Sequence, residues 1–556
     1  MSLNIRAIIG MMVLTVLLSC TTKPHTVVFY NLNGYTLTQN GEVLQFDTVV
    51  FREGRFLEVG DSASIFENHR NALKVDYHGR TMLPGLIDAH AHIFGLGEAM
   101  MNVNLMGFTS LKDALDEIKT FANRYPDELW LTGRGWNQTL WPENAFPTAK
   151  DLDSVLSDRP VYLARVDGHA AWVNTLALEK AGIDRNTPDP QGGAIIRDEK
   201  GNPTGILIDR AMYLVRELIP PANEETYRNR LTIALHDIAA HGLTGVHDAG
   251  VSELQFSIYQ DFERRRKLTT RVYGLISGSG ETFDRLSVKG PIVNPNSDIL
   301  TLRSVKLYSD GALGSRGAAL KEDYSDDPGN RGLLFDSEDF FYEQIKKVSN
   351  AGFQVGIHAI GDKANHVILN AFERAFASGV DPELRHRIEH AQIVTVDEIP
   401  RFGELNIIAS MQPIHATSDM NMAEDRVGPD RILGGYAWRT FLNHGAVIAS
   451  GSDFPVEPVN PFYGLHAAVN RTDHRGNPSG GWFPDQRMTR AEALRTFTLD
   501  AAFSGHMEER TGSIEPGKWA DFIIIDRDFF EIDASEIYQI QVLETWLGGL
   551  RVFSKN

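Results

Sequence analysis

The chain has 556 residues, 42% hydrophobic and 23% charged, which excludes intrinsic disorder and a single small domain and leaves enough material for a large core. Asp plus Glu number 73 against 54 Lys plus Arg, a net charge of −19, so the surface repels phosphate backbones and no nucleic-acid partner is expected. With one cysteine, Cys20, an internal disulfide is excluded.

Residues 1–22 read MSLNIRAIIGMMVLTVLLSCTT, with Arg6 ahead of an apolar run from Ala7 to Leu18. The run has the form of a secretory signal and is short for a membrane span. Leu17-Leu18-Ser19-Cys20 resembles a bacterial lipoprotein processing site. The resemblance implies a signal peptide over residues 1–20, cleavage before Cys20 and a lipid on that cysteine. The protein would then sit in the cell envelope, anchored to a membrane on its periplasmic or surface side. A plain secreted protein or an uncleaved anchor are the alternatives.

Residues 21–81 carry short alternating strands, TVVFY, TLTQNGEVLQF and TVVFREGRFLEVG, with NG and REG at hairpin positions. Residues 506–556 are similar in kind, with TGSIEPGKWADFIIID and VLETWLGGLRVF, so the two ends can share one small sheet domain. Between them, over 82–505, eight apolar strand candidates alternate with helix-length segments: TMLPGLIDAHAH, GLTGVHDAG, TRVYGLISG, LRSVKLYSDG, GFQVGIHAIGD, RHRIEHAQIV, NIIASMQP and AVIASGSDFP. Repeated strand–helix units predict an α/β chain folded as a parallel (β/α)8 TIM barrel. The stretch at about 100–225 is too long for one connection and reads as an insertion after the first strand, with strand candidates ELWLTGRGW, RPVYLARVDGH and a hairpin in IIRDEKGNPTGILID. Thr489-Arg490-Ala491-Glu492 has the capping-box pattern of a helix start.

On a strand, residues two apart share a face, so His90 and His92 in DAHAH point together and form half of a zinc-type site. His358, His390 and Asp453 end other strand candidates, and a barrel brings those ends to one mouth. Lys306 in LRSVKLYSDG faces inward, where an unpaired ammonium is costly. It either pairs with Asp453 or Asp310, or is carboxylated by CO2 into a carbamate able to bridge two cations.

These motifs, LPGLIDAHAH, VDGHAAWVN, GLTGVHDAG, VKLYSDGALGSR, HAIGDKAN, RIEHAQ, SGSDFPVEP and TGSIEPGKWADFIIID, stand in an order that resembles the amidohydrolase superfamily, in its YtcJ-like branch that includes N-substituted formamide deformylase-type enzymes. The resemblance implies a barrel joined to a small β-sandwich built from both chain ends. It implies two divalent metal ions, zinc being the expected one. His90, His92 and Asp453 would hold one ion, His358 and His390 the other, and carboxylated Lys306 would bridge them. The expected activity is hydrolysis of a non-peptide C–N bond in a small-molecule substrate, amide or formamide-like, by a water activated to hydroxide. Asp453 would be the catalytic general acid and base.

His169, Asp310 and Arg316 are candidate substrate-side contacts, with a structural histidine and fold-holding salt bridges as the alternatives. Asp248 is placed to support the site from behind, and Trp136, Trp141 and Trp172 either line a pocket or pack the insertion. A single-metal, deaminase-like hydrolase and a binding lipoprotein without turnover are the competing functional readings. The envelope expectation has a direct check: Cys20→Ser should move the protein from the membrane pellet to the soluble fraction, and a variant that stays in the pellet unchanged would refute the lipid anchor.

Overall fold

Eight parallel strands form a nearly closed barrel: β1 (Leu86–Ala91), β2 (Leu243–Val251), β3 (Arg271–Ser277), β4 (Leu300–Tyr308), β5 (Gln354–Ala359), β6 (Arg387–His390), β7 (Ile408–Met411) and β8 (Ile448–Ser450), each hydrogen-bonded to the next in chain order. The computed structural model describes residues 26–555 other than 127, 166–169, 191–192, 295–296 and 315, so the segment 1–20 with Cys20, and His169, lie outside the described residues. No helix among the described residues is long and apolar enough to cross a membrane.

The gap between β8 and β1 is bridged by the loop that follows β8. The Asp453 N–H donates to the His90 carbonyl at 2.8 Å, and the His92 N–H to the Phe454 carbonyl at 2.8 Å. The buried Asp88 carboxylate accepts the Ser452 N–H at 3.0 Å and its hydroxyl at 2.6 Å. This close approach needs Gly451, because a Cβ there would lie 2.5 Å from Asp88 Oδ1 and 2.6 Å from the His90 nitrogen.

Helices on the outside start where their caps dictate. Asn223 caps α2 (Glu224–Ala240), and the box at Thr489 forms, with the Thr489 hydroxyl accepting the Glu492 N–H at 3.2 Å and the Glu492 carboxylate accepting the Thr489 N–H at 2.7 Å. A short helix, α1 (Ile93–Met100), follows β1 directly.

The run TMLPGLIDAHAH, read from the sequence as one strand, is divided at Gly85. Thr81–Pro84 pairs antiparallel with Phe522–Ile525 in the terminal domain, while Leu86–Ala91 enters the barrel. Pro84 has no N–H to continue a ladder, and the Gly85 N–H is taken by the Asp521 carbonyl at 3.0 Å. The terminal domain is a sandwich. One sheet orders Arg55–Gly60, Thr48–Arg52, Val27–Tyr30 and Leu73–Asp76; the other orders Leu550–Ser554, Val542–Leu547, Phe522–Ile525, Thr81–Pro84, Asn33–Leu37 and Val43–Phe46. Phe29, Phe51, Phe56 and Phe522 fill its core, with Trp546 stacked on Phe522 at 5.4 Å.

Between α1 and α2 the inserted segment forms a mixed sheet in the order Gly193–Arg197, Pro203–Asp209, Ala170–Val173, Val161–Arg165, Leu131–Trp136 and Val103–Asn104. Trp136, Trp141 and Trp172 are buried together there, and their ring N–H groups donate to the carbonyls of Leu163, Phe108 and Thr148. They pack the insertion.

Sandwich and barrel are joined by a buried ion pair. Arg271 on β3 donates to both carboxylate oxygens of Asp521, at 2.6 and 2.9 Å, and to the carbonyls of Ser297 and Asp298 at 3.0 and 3.1 Å. Removing one partner leaves a buried charge uncompensated, so Asp521→Ala should lower unfolding stability in urea by about 3–5 kcal/mol; an unchanged midpoint would show that the bridge holds nothing together.

Candidate active site

The strand ends of the barrel mouth bring His90, His92, Lys306, His358, His390 and Asp453 into one cluster. Their placement follows from the parallel ladder: Lys306 pairs with Gly356, Tyr308 with His358, and Ala359 with His390 across β4, β5 and β6. Ring centres of His90 and His390 lie 4.8 Å apart, and those of His358 and His390 4.6 Å apart. His92 Nε2 is 3.1 Å from Asp453 Oδ1, and His90 Nε2 is 3.6 Å from the same oxygen. The buried Lys306 amine lies 3.1 Å from His90 Nε2 and 4.9 Å from the centre of the Tyr308 ring.

One nitrogen of each inner imidazole is held by the protein, which leaves the other aimed inward. His90 Nδ1 meets Glu389 Oε2 at 2.5 Å, and His390 Nδ1 meets Gln412 Oε1 at 2.7 Å. His358 is bonded to the Gly311 backbone, and its Nε2 is buried, 3.5 Å from Asp310 Oδ1, with no hydrogen-bond partner. Burial, reinforced by the Lys306 ammonium, pushes His90 down to about 4 and His358 down to about 3. Burial and the neighbouring imidazoles hold His390 well below the ordinary histidine range. All three are therefore neutral at neutral pH, with lone pairs available. Burial alone would raise Asp453, but the nearby His92, His90 and His415 rings outweigh it and hold the carboxyl well below the usual range. Burial lowers Lys306 to about 8.

This donor set fits a metal. His90, His390 and Asp453 each offer a ligand atom, and these atoms lie within 4.8 Å of one another. The converging trio draws from both of the half-sites expected from the sequence, which means that the two half-sites adjoin. The unpartnered Nε2 of His358 points to the same use, since a buried nitrogen without a partner is costly.

Of the substrate-side candidates, Asp310 is buried, and its carboxylate accepts the N–H groups of Ala319, Ile360 and Gly361 at 2.9, 3.0 and 2.8 Å. It ties the loops after β4 and β5 together beside His358, and burial pushes it up to about 7. Arg316 is committed to Asp326, with contacts of 3.1 and 2.9 Å, in a loop pair that Arg426 also joins. Asp248 accepts the Ile93 N–H at 2.9 Å and the Tyr259 hydroxyl at 2.6 Å, fixing the turn that leaves His92.

Residues beyond those expected complete the site. Glu389, fully buried, takes Arg387 on both oxygens at 2.6 and 2.9 Å while holding His90. Gly356 gives it room, because a Cβ there would lie 2.4 Å from Glu389 Oε1. His415, on the helix Pro413–Asp419 after β7, presents a buried Nε2 without a hydrogen-bond partner, 4.0 Å from Asp453 Oδ2. The available signals were the alternating charges of RIEH, two apart on an inward face, and the polar pair in QPIHATS just past a strand end.

A family model described as the amidohydrolase family matches residues 74–553. Among curated proteins the chain is similar to the putative amidohydrolase YtcJ of Bacillus subtilis (strain 168), 32% identical over 534 residues, spanning 94% of this chain and 98% of that protein. It is similar to the N-substituted formamide deformylase of Arthrobacter pascens, 28% identical over 548 residues, spanning 96% and 99%. Among solved structures it matches an uncharacterized metal-dependent hydrolase from Pyrococcus furiosus with a TM-score of 0.74 and 29% identity, covering 91% of this chain and 100% of that one.

Because Glu389 fixes which nitrogen of His90 faces the cluster, Glu389→Gln should weaken retention of a divalent metal about 10- to 100-fold in a chelator competition. Retention equal to the parent protein would remove Glu389 from the site's support.

Proposed function

The chain belongs to the amidohydrolase family, and from that premise we propose that it is a metal-dependent hydrolase of carbon–nitrogen bonds other than peptide bonds, acting on amide or formamide-like small molecules. The observation that carries the reading is the buried convergence of neutral imidazoles, a deprotonated carboxylate and a lysine at the barrel mouth. The formamide deformylase relative supports the choice of bond.

His90, His92 and Asp453 would hold one divalent cation and His358 and His390 a second, zinc suiting this nitrogen-rich set. Lys306 would bridge them as a carbamate. Its lowered pKa keeps part of the amine neutral near neutral pH; that amine adds to CO2, an N–C bond forms and a proton leaves. Such cations supply Lewis acidity, activating water and polarising a carbonyl. Asp453 takes the proton of the attacking water and returns it to the departing nitrogen, with His92 Nε2 standing 3.1 Å from the carboxylate. His415 Nε2 stands beside the same carboxylate, free to hydrogen-bond a substrate polar group. Glu389 and Gln412 hold the tautomers of His90 and His390.

A single-ion hydrolase of deaminase type, with Lys306 unmodified, is the second reading. It is favoured by the compactness of the His90, His390 and Asp453 trio. A lipid on Cys20 would carry either enzyme at the cell envelope, supported by the Leu17-Leu18-Ser19-Cys20 tetrad.

Metal content decides between them. Protein loaded with zinc in bicarbonate should hold about two equivalents per chain and hydrolyse N-formyl amines. Lys306→Ala should drop to one or fewer equivalents, with activity lost. One equivalent in the parent, with Lys306→Ala fully active, would select the single-ion reading, and no bound metal would refute both.

A further inference from the structure

Resting on the hydrolase reading, we infer that the cleft between the inserted sheet and the barrel receives a substrate substituent that carries a carboxylate, and that Arg134 and Arg216 recognise it. The cleft has a volume of about 1170 Å3. One wall is a face of the inserted sheet. Thr132 pairs with Tyr162 and Arg134 with Ala164, so these four residues share a face, and all of them line the cleft. The other wall is the barrel mouth, from α1, α2 and the loop after β8, including Gly95, Pro455 and Val456.

That second wall ties the cleft to the reacting groups. Pro455 and Val456 follow Asp453 by two and three residues, and Gly95 follows His92 by three. Three residues reach at most about 10 Å. The two segments also touch one another, since a Cβ on Gly95 would meet Pro455 at 3.2 Å. The distal part of a substrate bonded at the cluster is within reach of this cleft.

The charge of the cleft is opposite to that of the chain. The protein carries −19 overall, yet three arginines line this cavity. Arg230 is neutralised by Glu98 at 3.0 Å. Arg134 and Arg216 have no carboxylate partner among the described residues; the guanidinium of Arg216 lies 5.9 Å from the Tyr213 ring. Their surroundings, Met106, Tyr162, Met212 and Ile219, are largely apolar. Two unpaired guanidinium groups on a concave, mainly apolar wall attract and orient an anion, and their planar fork matches a carboxylate. The volume exceeds what a formyl amine fills, leaving room for an apolar body beside the anionic group.

The test compares N-formylphenylalanine with N-formylphenethylamine, which has the same aromatic body without the carboxylate. Hydrolysis and calorimetric binding are both measured on zinc-loaded protein and on Arg134→Met, Arg216→Met and the double variant. The parent should prefer the carboxylated compound by about tenfold or more in kcat/KM, mainly through KM. Each single variant should reduce that preference and the double variant should bring the ratio near one. A parent that treats the two compounds alike, or a double variant that keeps the parent's ratio, overturns the assignment, as does failure of N-formylphenylalanine to bind. Carboxylate-dependent binding that the double variant abolishes, with neither compound hydrolysed, leaves the cleft assignment standing and refutes the formamide arm of the hydrolase reading instead.

Discussion

The ion pair between Arg387 and Glu389, both fully buried on β6, is the interaction on which the mouth of the barrel depends. Two charges withdrawn from water are costly, and the cost is offset only when every donor and acceptor is used. Here they are used. Arg387 reaches the Ala89 carbonyl on β1 at 2.5 Å, Ser410 on β7 at 2.7 Å and His247 on β2 at 2.9 Å, while Glu389 reaches His90. Four strands are thus referenced to one guanidinium and one carboxylate. The imidazole that approaches Lys306 owes its ring orientation to this pair.

Around that core the chain accepts backbone strain at two members of the cluster. His390 and Asp453 adopt left-handed conformations, with φ of 75° and 62°. Each costs on the order of 1–3 kcal/mol and persists only where the surroundings over-determine it. For Asp453 those surroundings are its own N–H on the His90 carbonyl and the Asp88 carboxylate fastened to Ser452. The loop that closes the barrel is therefore the loop that orients Asp453, and the proton transfer proposed for it would share bonds with closure.

Much of this was legible in the sequence. The eight apolar runs were read as barrel strands, and the alternation in DAHAH and VKLYSDG put His90, His92 and Lys306 on inward faces. What stayed hidden depended on neighbours that are distant in the chain. Glu389 was invisible as the support of His90 because 299 residues separate them. Asp88 stands beside a visible motif, yet its task of fastening β1 to Ser452 exists only once the ring closes. Arg316 had an open choice between a substrate and a loop partner, and the turn that presents Asp326 settles its pairing at a range of ten residues. His415 sits past the end of a strand, where periodicity no longer says which way a side chain points.

The division of one apolar run at Gly85 carries a consequence for how the molecule is made. Thr81–Pro84 lies between Asn33–Leu37 and Phe522–Ile525 in the sandwich sheet, and it continues directly into β1. During synthesis from the N-terminus, one edge of that strand stays unpaired until the closing segment emerges. Asp453 also comes late. Until residue 453 is made, the nascent chain carries the histidines and lysine of the cluster without Asp453, attached to an open sheet edge. The order of the residues thus leaves the cluster incomplete until the scaffold around it is nearly made.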